Sequence, residues 1–189
     1  MPDTSRDLGL LHPLLREAWE YLRDDYKQKW PESPVPRIST TYRGPIAQER
    51  AKAAGASRFG YGESLHNFKP SYAFDIYFDA GGGRADWNWV HFERFSQEAK
   101  RIGLEWGGDW PGLLDGPHFQ FRGAKAEHAR RGHIPHRPNV PRHDGWKLVL
   151  MLDGKLIQTV DMRDEGAVNT RVAQDRARYY VDVRSNDHA

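Results

Sequence analysis

At 189 residues the chain is long enough for one ordinary domain, or one domain with a small appendage, and for a core of its own. Its 28 lysines and arginines almost balance 26 aspartates and glutamates, and a net charge of +2 makes no case for a nucleic-acid partner. With no cysteine, disulfides and thiolate metal sites are excluded; the longest apolar run, residues 148–152, falls far short of the about 20 residues of a spanning helix, which excludes an integral membrane protein.

The opening Met-Pro-Asp-Thr-Ser-Arg-Asp is charged and lacks an apolar segment, so synthesis in the cytoplasm without a signal peptide is expected. Leu11, Leu14, Leu15, Ala18, Trp19 and Leu22 recur at helical spacing before Pro31, Pro34 and Pro36, which predicts a first helix over about residues 12–30. Residues 38–42 are β-branched and aromatic enough for a short strand. Gly44-Pro45 then opens a second helix that closes at Gly55, placing Arg43 at a strand-to-helix corner. In Tyr-Ala-Phe-Asp-Ile-Tyr-Phe-Asp-Ala, residues 72–80, alternation puts Phe74, Ile76 and Phe78 on a core face and Asp75 on the opposite one. Asp86 is the predicted cap of a third helix whose stripe is Phe92, Phe95, Ala99 and Ile102, ending at Gly103.

A glycine- and tryptophan-rich loop follows, and residues 118–123 then read as a strand with Phe119 and Phe121 inward and His118, Gln120 and Arg122 on the other side. From 125 to 143 the composition turns basic and rich in histidine and proline. Lys125, Arg130, Arg131, Arg137 and Arg142 stand against the single acid Glu127, as in a linker or surface strap. Its histidines, His128, His133, His136 and His143, are read as solvated, because the prolines preclude the i,i+4 ligand pairs of a helix. Two apolar segments flank Asp153-Gly154, a strong hairpin signal, and Arg-Tyr-Tyr-Val-Asp-Val-Arg, residues 178–184, offers another strand. The expectation is an α+β fold, a small antiparallel sheet with packed helices plus a C-terminal β-hairpin appendage, divided at 1–123, 124–145 and 146–189.

The polar residues left over from core-making are His66, Asp75, Asp115 and His118. Two imidazoles and one carboxylate match a catalytic metal site with an open position, and zinc suits that set. Asp115, three residues before His118, is placed to take a proton from water. Pro117 keeps the pair off a regular helix, so a rigid turn must hold them. Singly, each residue is more often a surface or hydrogen-bonded structural group; the arrangement is what points to chemistry.

Three separated blocks carry a resemblance. Ser64-Leu65-His66 leads to Ala73-Phe74-Asp75; Gly103-Leu104-Glu105-Trp106-Gly107-Gly108-Asp109-Trp110 follows a helix; Asp115-Gly116-Pro117-His118-Phe119 comes last. In that order they resemble the zinc D-Ala-D-Ala carboxypeptidases and dipeptidases, and among them the phage L-alanyl-D-glutamate endopeptidases that act as endolysins. The resemblance implies one zinc ion on His66, Asp75 and His118, with Asp115 as catalytic base. It also implies that Arg43 binds a substrate carboxylate or stabilises the oxyanion, with Gln48 and Ser64 beside the substrate. Trp106 and Trp110 are expected as wall and packing residues, with Gly107 and Gly108 allowing a tight backbone. The stretch from His66 to Asp75 is longer than the commonest spacing and has Ser71 where glycine is usual. An aspartate base, where the carboxypeptidases have glutamate, leans toward the endopeptidase branch.

The implied function is a zinc peptidase cutting a stem-peptide bond of peptidoglycan, L-alanyl-D-glutamate first, released to act on the cell wall. The rival readings are a D-Ala-D-Ala carboxypeptidase and a non-catalytic wall-binding or virion protein. Peptidoglycan stem peptides are the implied partner, with no nucleic acid and no integral membrane association.

Overall fold

A computed structural model describes residues 3–112, 114–141, 147–152 and 155–161, the last two segments by their backbone pairing. The chain divides into two compact units, residues 1–140 and 141–189. In the first unit, α1 (Pro13–Lys29) starts with proline in its first turn and His12 as cap, the imidazole Nδ1 accepting from Leu14 N at 3.2 Å. Its apolar stripe buries Leu15, Ala18, Trp19, Leu22 and Tyr26. The predicted strand at 38–42 is two strands with a register irregularity near Thr40: β2 (Val35–Thr40) and β3 (Tyr42–Arg43), the latter paired with β1 (Thr4–Ser5). The next helix, α2 (Pro45–Ala53), begins at Gly44-Pro45 as the sequence requires.

The central sheet is antiparallel in the order β2, β4 (Ala73–Asp79), β7 (His118–Phe121), β6 (Leu104–Trp106), with β5 (Ala85–Asp86) also on β4. One face carries the aromatic core. Phe74 stacks on Phe119 with ring centroids 5.6 Å apart, Trp19 of α1 meets Phe74 at 5.8 Å, and Phe95 of α3 (Trp89–Arg101) meets Phe119 edge-on at 5.1 Å. Helices α1 and α3 therefore cover one side of the sheet and leave the other to the polar residues. Strand β6, hidden in what the sequence shows only as a glycine-rich loop, is three residues long and is defined by its partner β7.

Two expectations are corrected. The cap of α3 is Asn88, whose Oδ1 accepts from Val90 N at 3.2 Å; Asp86 lies two residues earlier, accepts from Asn88 N at 2.8 Å and faces His91 Nε2 at 3.4 Å. The segment after Gly123 is no free linker up to Val140. It forms α4 (Ala126–Arg130), buries Ala124 and Ala129 in the core, and ties Arg130 to the Gly62 carbonyl at 2.6 Å. In the second unit β8 (Lys147–Leu152) and β9 (Lys155–Asp161) pair antiparallel. The Asp153-Gly154 turn between them and the strand expected at 178–184 lie outside the described residues. Among the described residues no helix is long and apolar enough to cross a membrane.

The two covering helices are cross-linked by one buried acid. Glu98 of α3, 7% exposed, receives Arg101 Nε at 2.8 Å and the Tyr21 hydroxyl of α1, with Lys29 Nζ at 3.5 Å. The Arg101 guanidinium, helped by Tyr21 and Lys29 and opposed by burial, holds its carboxyl down at about 2, against an ordinary value of 4.5. A depressed carboxyl contributes stability that is complete above about pH 4.5 and is lost as pH falls through about 2. Because Arg101 is largely solvent-exposed, the contribution is discounted to about 1–2 kcal/mol. Glu98→Gln is expected to lower stability by that amount at pH 7 and to flatten the pH dependence between 4.5 and 2. Urea midpoints measured across that window check it, and identical curves for the two proteins would remove Glu98 from the account.

Candidate active site

Antiparallel pairing of β4 and β7 sets Asp75 directly opposite His118. Because side chains alternate along each strand, both point away from the Phe74–Phe119 core face into the same space. The third group comes from a 3₁₀ turn, Leu65–Asn67, capped by Ser64, whose hydroxyl accepts from His66 N at 3.4 Å. Tyr72 N bonds the Leu65 carbonyl at 3.1 Å, fastening that turn to the start of β4. Ser71, the residue standing where glycine is usual, is wholly buried and gives its hydroxyl to the Ala73 carbonyl at 2.8 Å.

The result is a triangle of ligand atoms. His66 Nε2 and His118 Nδ1 each lie 3.0 Å from Asp75 Oδ1, and 3.2 Å from each other. The outer nitrogens decide the tautomers. His66 Nδ1 lies 3.1 Å from the Thr41 carbonyl, which can only accept, so Nδ1 carries the proton and Nε2 presents a lone pair. His118 Nε2 faces Gln120 Oε1 at 3.0 Å, which leaves its Nδ1 lone pair on the site. Three buried acceptors thus converge with no donor between them, an arrangement that needs a cation. A tetrahedral ion with bonds of about 2.0–2.1 Å keeps its ligand atoms about 3.3 Å apart, close to the spacing found. The residues fit a metal ion, and among the described residues no other group of three such side chains does.

Electrostatics agree. Burial would raise the Asp75 carboxyl, yet the two imidazoles hold it well below the usual carboxylate range. For His118 burial favours the neutral ring, but the hydrogen bond and charge of Asp75, with Asp115, raise it. The site is built to hold positive charge. Arg43, at the end of β3, donates to the other Asp75 oxygen at 3.1 Å and so fixes which oxygen faces the imidazoles.

Asp115 reaches the same cleft through a short, heavily tied loop. Its N–H bonds the Gly107 carbonyl at 3.0 Å, its carbonyl receives His118 N at 3.2 Å, and Trp106 Nε1 bonds the Gly116 carbonyl at 2.7 Å. Burial pushes the Asp115 carboxyl up, opposed by the neighbouring His118, while the Asp75 charge adds to the rise. The paired glycines serve close approach. A Cβ on Gly107 would lie 2.5 Å from the Asp115 carbonyl oxygen, and one on Gly108 2.2 Å from the Trp106 ring.

The cleft has a volume of about 600 Å³, and Arg43, Ser64, His66, Asp115 and His118 are on its wall, with Asp75 buried and bonded to His66 and His118. Trp110 is also wall, 4.9 Å from the His118 ring, while Trp106 is 5% exposed and packs against Phe119. Gln48 departs from expectation: it has no exposed surface and cannot meet a substrate. Its amide nitrogen is committed to Ser57 Oγ and the Phe59 carbonyl, at 3.0 and 2.8 Å, and its oxygen to Asn67.

Sequence reasoning missed Asn67. Its side chain donates to the Arg43 carbonyl at 2.8 Å and to Gln48 at 3.1 Å, and accepts from Gly62 N and Ser64 N at 3.0 and 3.1 Å. One amide therefore locks the arginine corner to the turn that carries His66. The signal available was its position directly after His66 in a Ser-initiated turn. Thr41 and Gln120 were equally unmarked as the partners that orient the imidazoles.

Gly107→Ala is expected to cost about 1–3 kcal/mol, because the atom it meets is backbone and cannot swing aside. An unfolding midpoint equal to that of the unaltered protein would show that the Asp115 loop is looser than its hydrogen bonds indicate.

Comparison with known proteins bears on the same stretch. Residues 52–121 match the family described as D-alanyl-D-alanine carboxypeptidase. Over 45 residues the chain is 44% identical to the L-alanyl-D-glutamate peptidase of Listeria phage A118, a match spanning 22% of this chain and 16% of that protein. Against the crystal structure of the Serratia marcescens L-Ala D-Glu endopeptidase, identity is 28% over 60% of this chain and 82% of the other, with a TM-score of 0.44. His66, Asp75, Asp115 and His118 all fall inside the matched family region, whereas Arg43 and Gln48 precede it. The family whose model matches residues 52–121 is thus one to which the motifs bear a resemblance, and the match spans the stretch that carries them.

Proposed function

We propose that this chain is a zinc peptidase that hydrolyses a stem-peptide bond of peptidoglycan, the L-alanyl-D-glutamate bond, as a lytic enzyme of phage type acting on the cell wall after release. The observation that carries the reading is the convergence of His66 Nε2, Asp75 Oδ1 and His118 Nδ1 within 3.2 Å, in a cleft that also takes the Asp115 carboxylate. The likeness to a phage L-alanyl-D-glutamate peptidase supports the choice of bond.

Zinc held by His66, Asp75 and His118 would supply Lewis acidity to the scissile carbonyl and to the attacking water. Asp115 accepts the proton of that water and hands it to the leaving amine, so that no amide anion has to be expelled. Its half-buried setting, which favours the protonated form, suits a group that must first take and then return a proton. Arg43 keeps Asp75 oriented and leaves further guanidinium N–H groups for a substrate oxygen. Trp110 closes one wall over His118 and limits water beside it.

The family description favours one second reading, removal of the terminal D-alanine from a D-Ala-D-Ala stem. Mass spectrometry of digested muropeptides separates the two by the fragment released, and an intact substrate would leave a wall-binding role. Asp115→Asn keeps volume and hydrogen-bonding shape, so zinc is expected to stay bound while turnover falls by roughly 10² to 10⁴. Normal turnover in that variant would show that Asp115 only shapes its turn. His66→Ala and His118→Ala are expected to lose zinc and activity together, and full zinc content by elemental analysis would exclude them as ligands.

A further inference from the structure

We infer that Lys125 forms a carboxylate-binding subsite in the cleft, distinct from Arg43, and that it reads the α-carboxylate of the residue on the leaving side of the cut bond. The inference rests on the peptidase reading above. Among the residues lining the cleft, three are permanently cationic: Arg43, Arg58 and Lys125. Arg43 is engaged with Asp75 at 3.1 Å, and Arg58 gives its guanidinium to the Gly112 carbonyl. Apart from Asp115, the acids on the wall are likewise occupied. Glu63 accepts from Gly60 N at 2.7 Å, and Glu105 from Trp110 Nε1 at 2.7 Å and Gly123 N at 3.2 Å. Among the described residues the Lys125 ammonium alone of the three cations makes neither a hydrogen bond nor an ion pair.

The backbone beneath that ammonium is firmly held. Ala124 N bonds the Phe121 carbonyl at 3.1 Å, Ala129 N bonds the Lys125 carbonyl at 3.0 Å, and Ala124 is buried in the core. Lys125 thus follows β7, the strand that carries His118 and Gln120, by a fixed short connection, and all three line one cleft. In a stem peptide that continues through the side-chain carboxyl of D-glutamate, the α-carboxylate stays free, one carbon from the scissile nitrogen. Lys125 is exposed at the cleft wall on a held backbone, and its ammonium is a flexible point charge able to reach such a group.

The test uses the zinc-loaded full chain and two synthetic L-alanyl-γ-D-glutamyl tripeptides, one with the free α-carboxylate and one with the α-carboxamide. The unaltered enzyme is expected to prefer the acid in kcat/KM. Lys125→Met is expected to shrink that preference about tenfold, chiefly through KM for the acid, and Lys125→Arg to keep most of it. An acid-to-amide ratio in Lys125→Met equal to that of the unaltered enzyme would overturn the subsite while leaving the peptidase reading intact. Cleavage of neither peptide would overturn the peptidase reading and the subsite with it.

Discussion

The antiparallel register of β4 on β7 is the constraint from which the site follows. Asp75 stands opposite His118 and Phe74 opposite Phe119, so one pairing positions the polar and the apolar face at once. A slip of one residue would put the aspartate into the aromatic core and a phenylalanine into the cleft. The stacking of Phe74 on Phe119, covered by Trp19 and Phe95, therefore guards the geometry of the Asp75–His118 pair on the opposite face.

Around that register the molecule gathers groups that repel or starve one another unless a cation joins them. Two imidazole lone pairs and a carboxylate oxygen face one point, and their outer atoms are pinned by the Thr41 carbonyl, Gln120 and Arg43. Such an assembly is costly in an empty protein and favourable around a metal, since each outer partner sharpens the aim of its ligand. Asn67 extends the same logic one shell outward by tying the Arg43 backbone, Gln48 and the Ser64 cap together. Gln48, which the motif places near substrate, works at this level: it secures the turn that holds His66 from beneath.

The wall opposite is set by backbone closeness. Gly107 lies under Asp115 and Gly108 against the face of Trp106, positions where the missing side chain is the functional feature. Neither glycine is among those with positive φ, so crowding and not backbone twist is what excludes other residues there. Beyond it, α4 and the segment to Val140 close on the first unit through Ala124, Ala129 and the bond of Arg130 to Gly62.

The sequence by itself determined the periodic elements and the chemistry-bearing residues. Helices α1 and α3 announce themselves by apolar stripes, β4 by alternation, and His66, Asp75, Asp115 and His118 by type and order, because those signals are local in the chain. The tertiary structure alone decided the rest. Strand β6 is three residues long and has no periodicity to read; it exists through its pairing with β7. The cap of α3 is Asn88 and not Asp86, because β5 and the contact with His91 use the aspartate first. Gln48 is a buried brace, Asn67 a hub and, among the described residues, Lys125 an unpaired cation on the cleft wall for one reason: folding sets which side chains meet, whether they stand 3 residues apart in the chain or 24. Spacing along a chain fixes which face a residue occupies, and only folding fixes what it meets there.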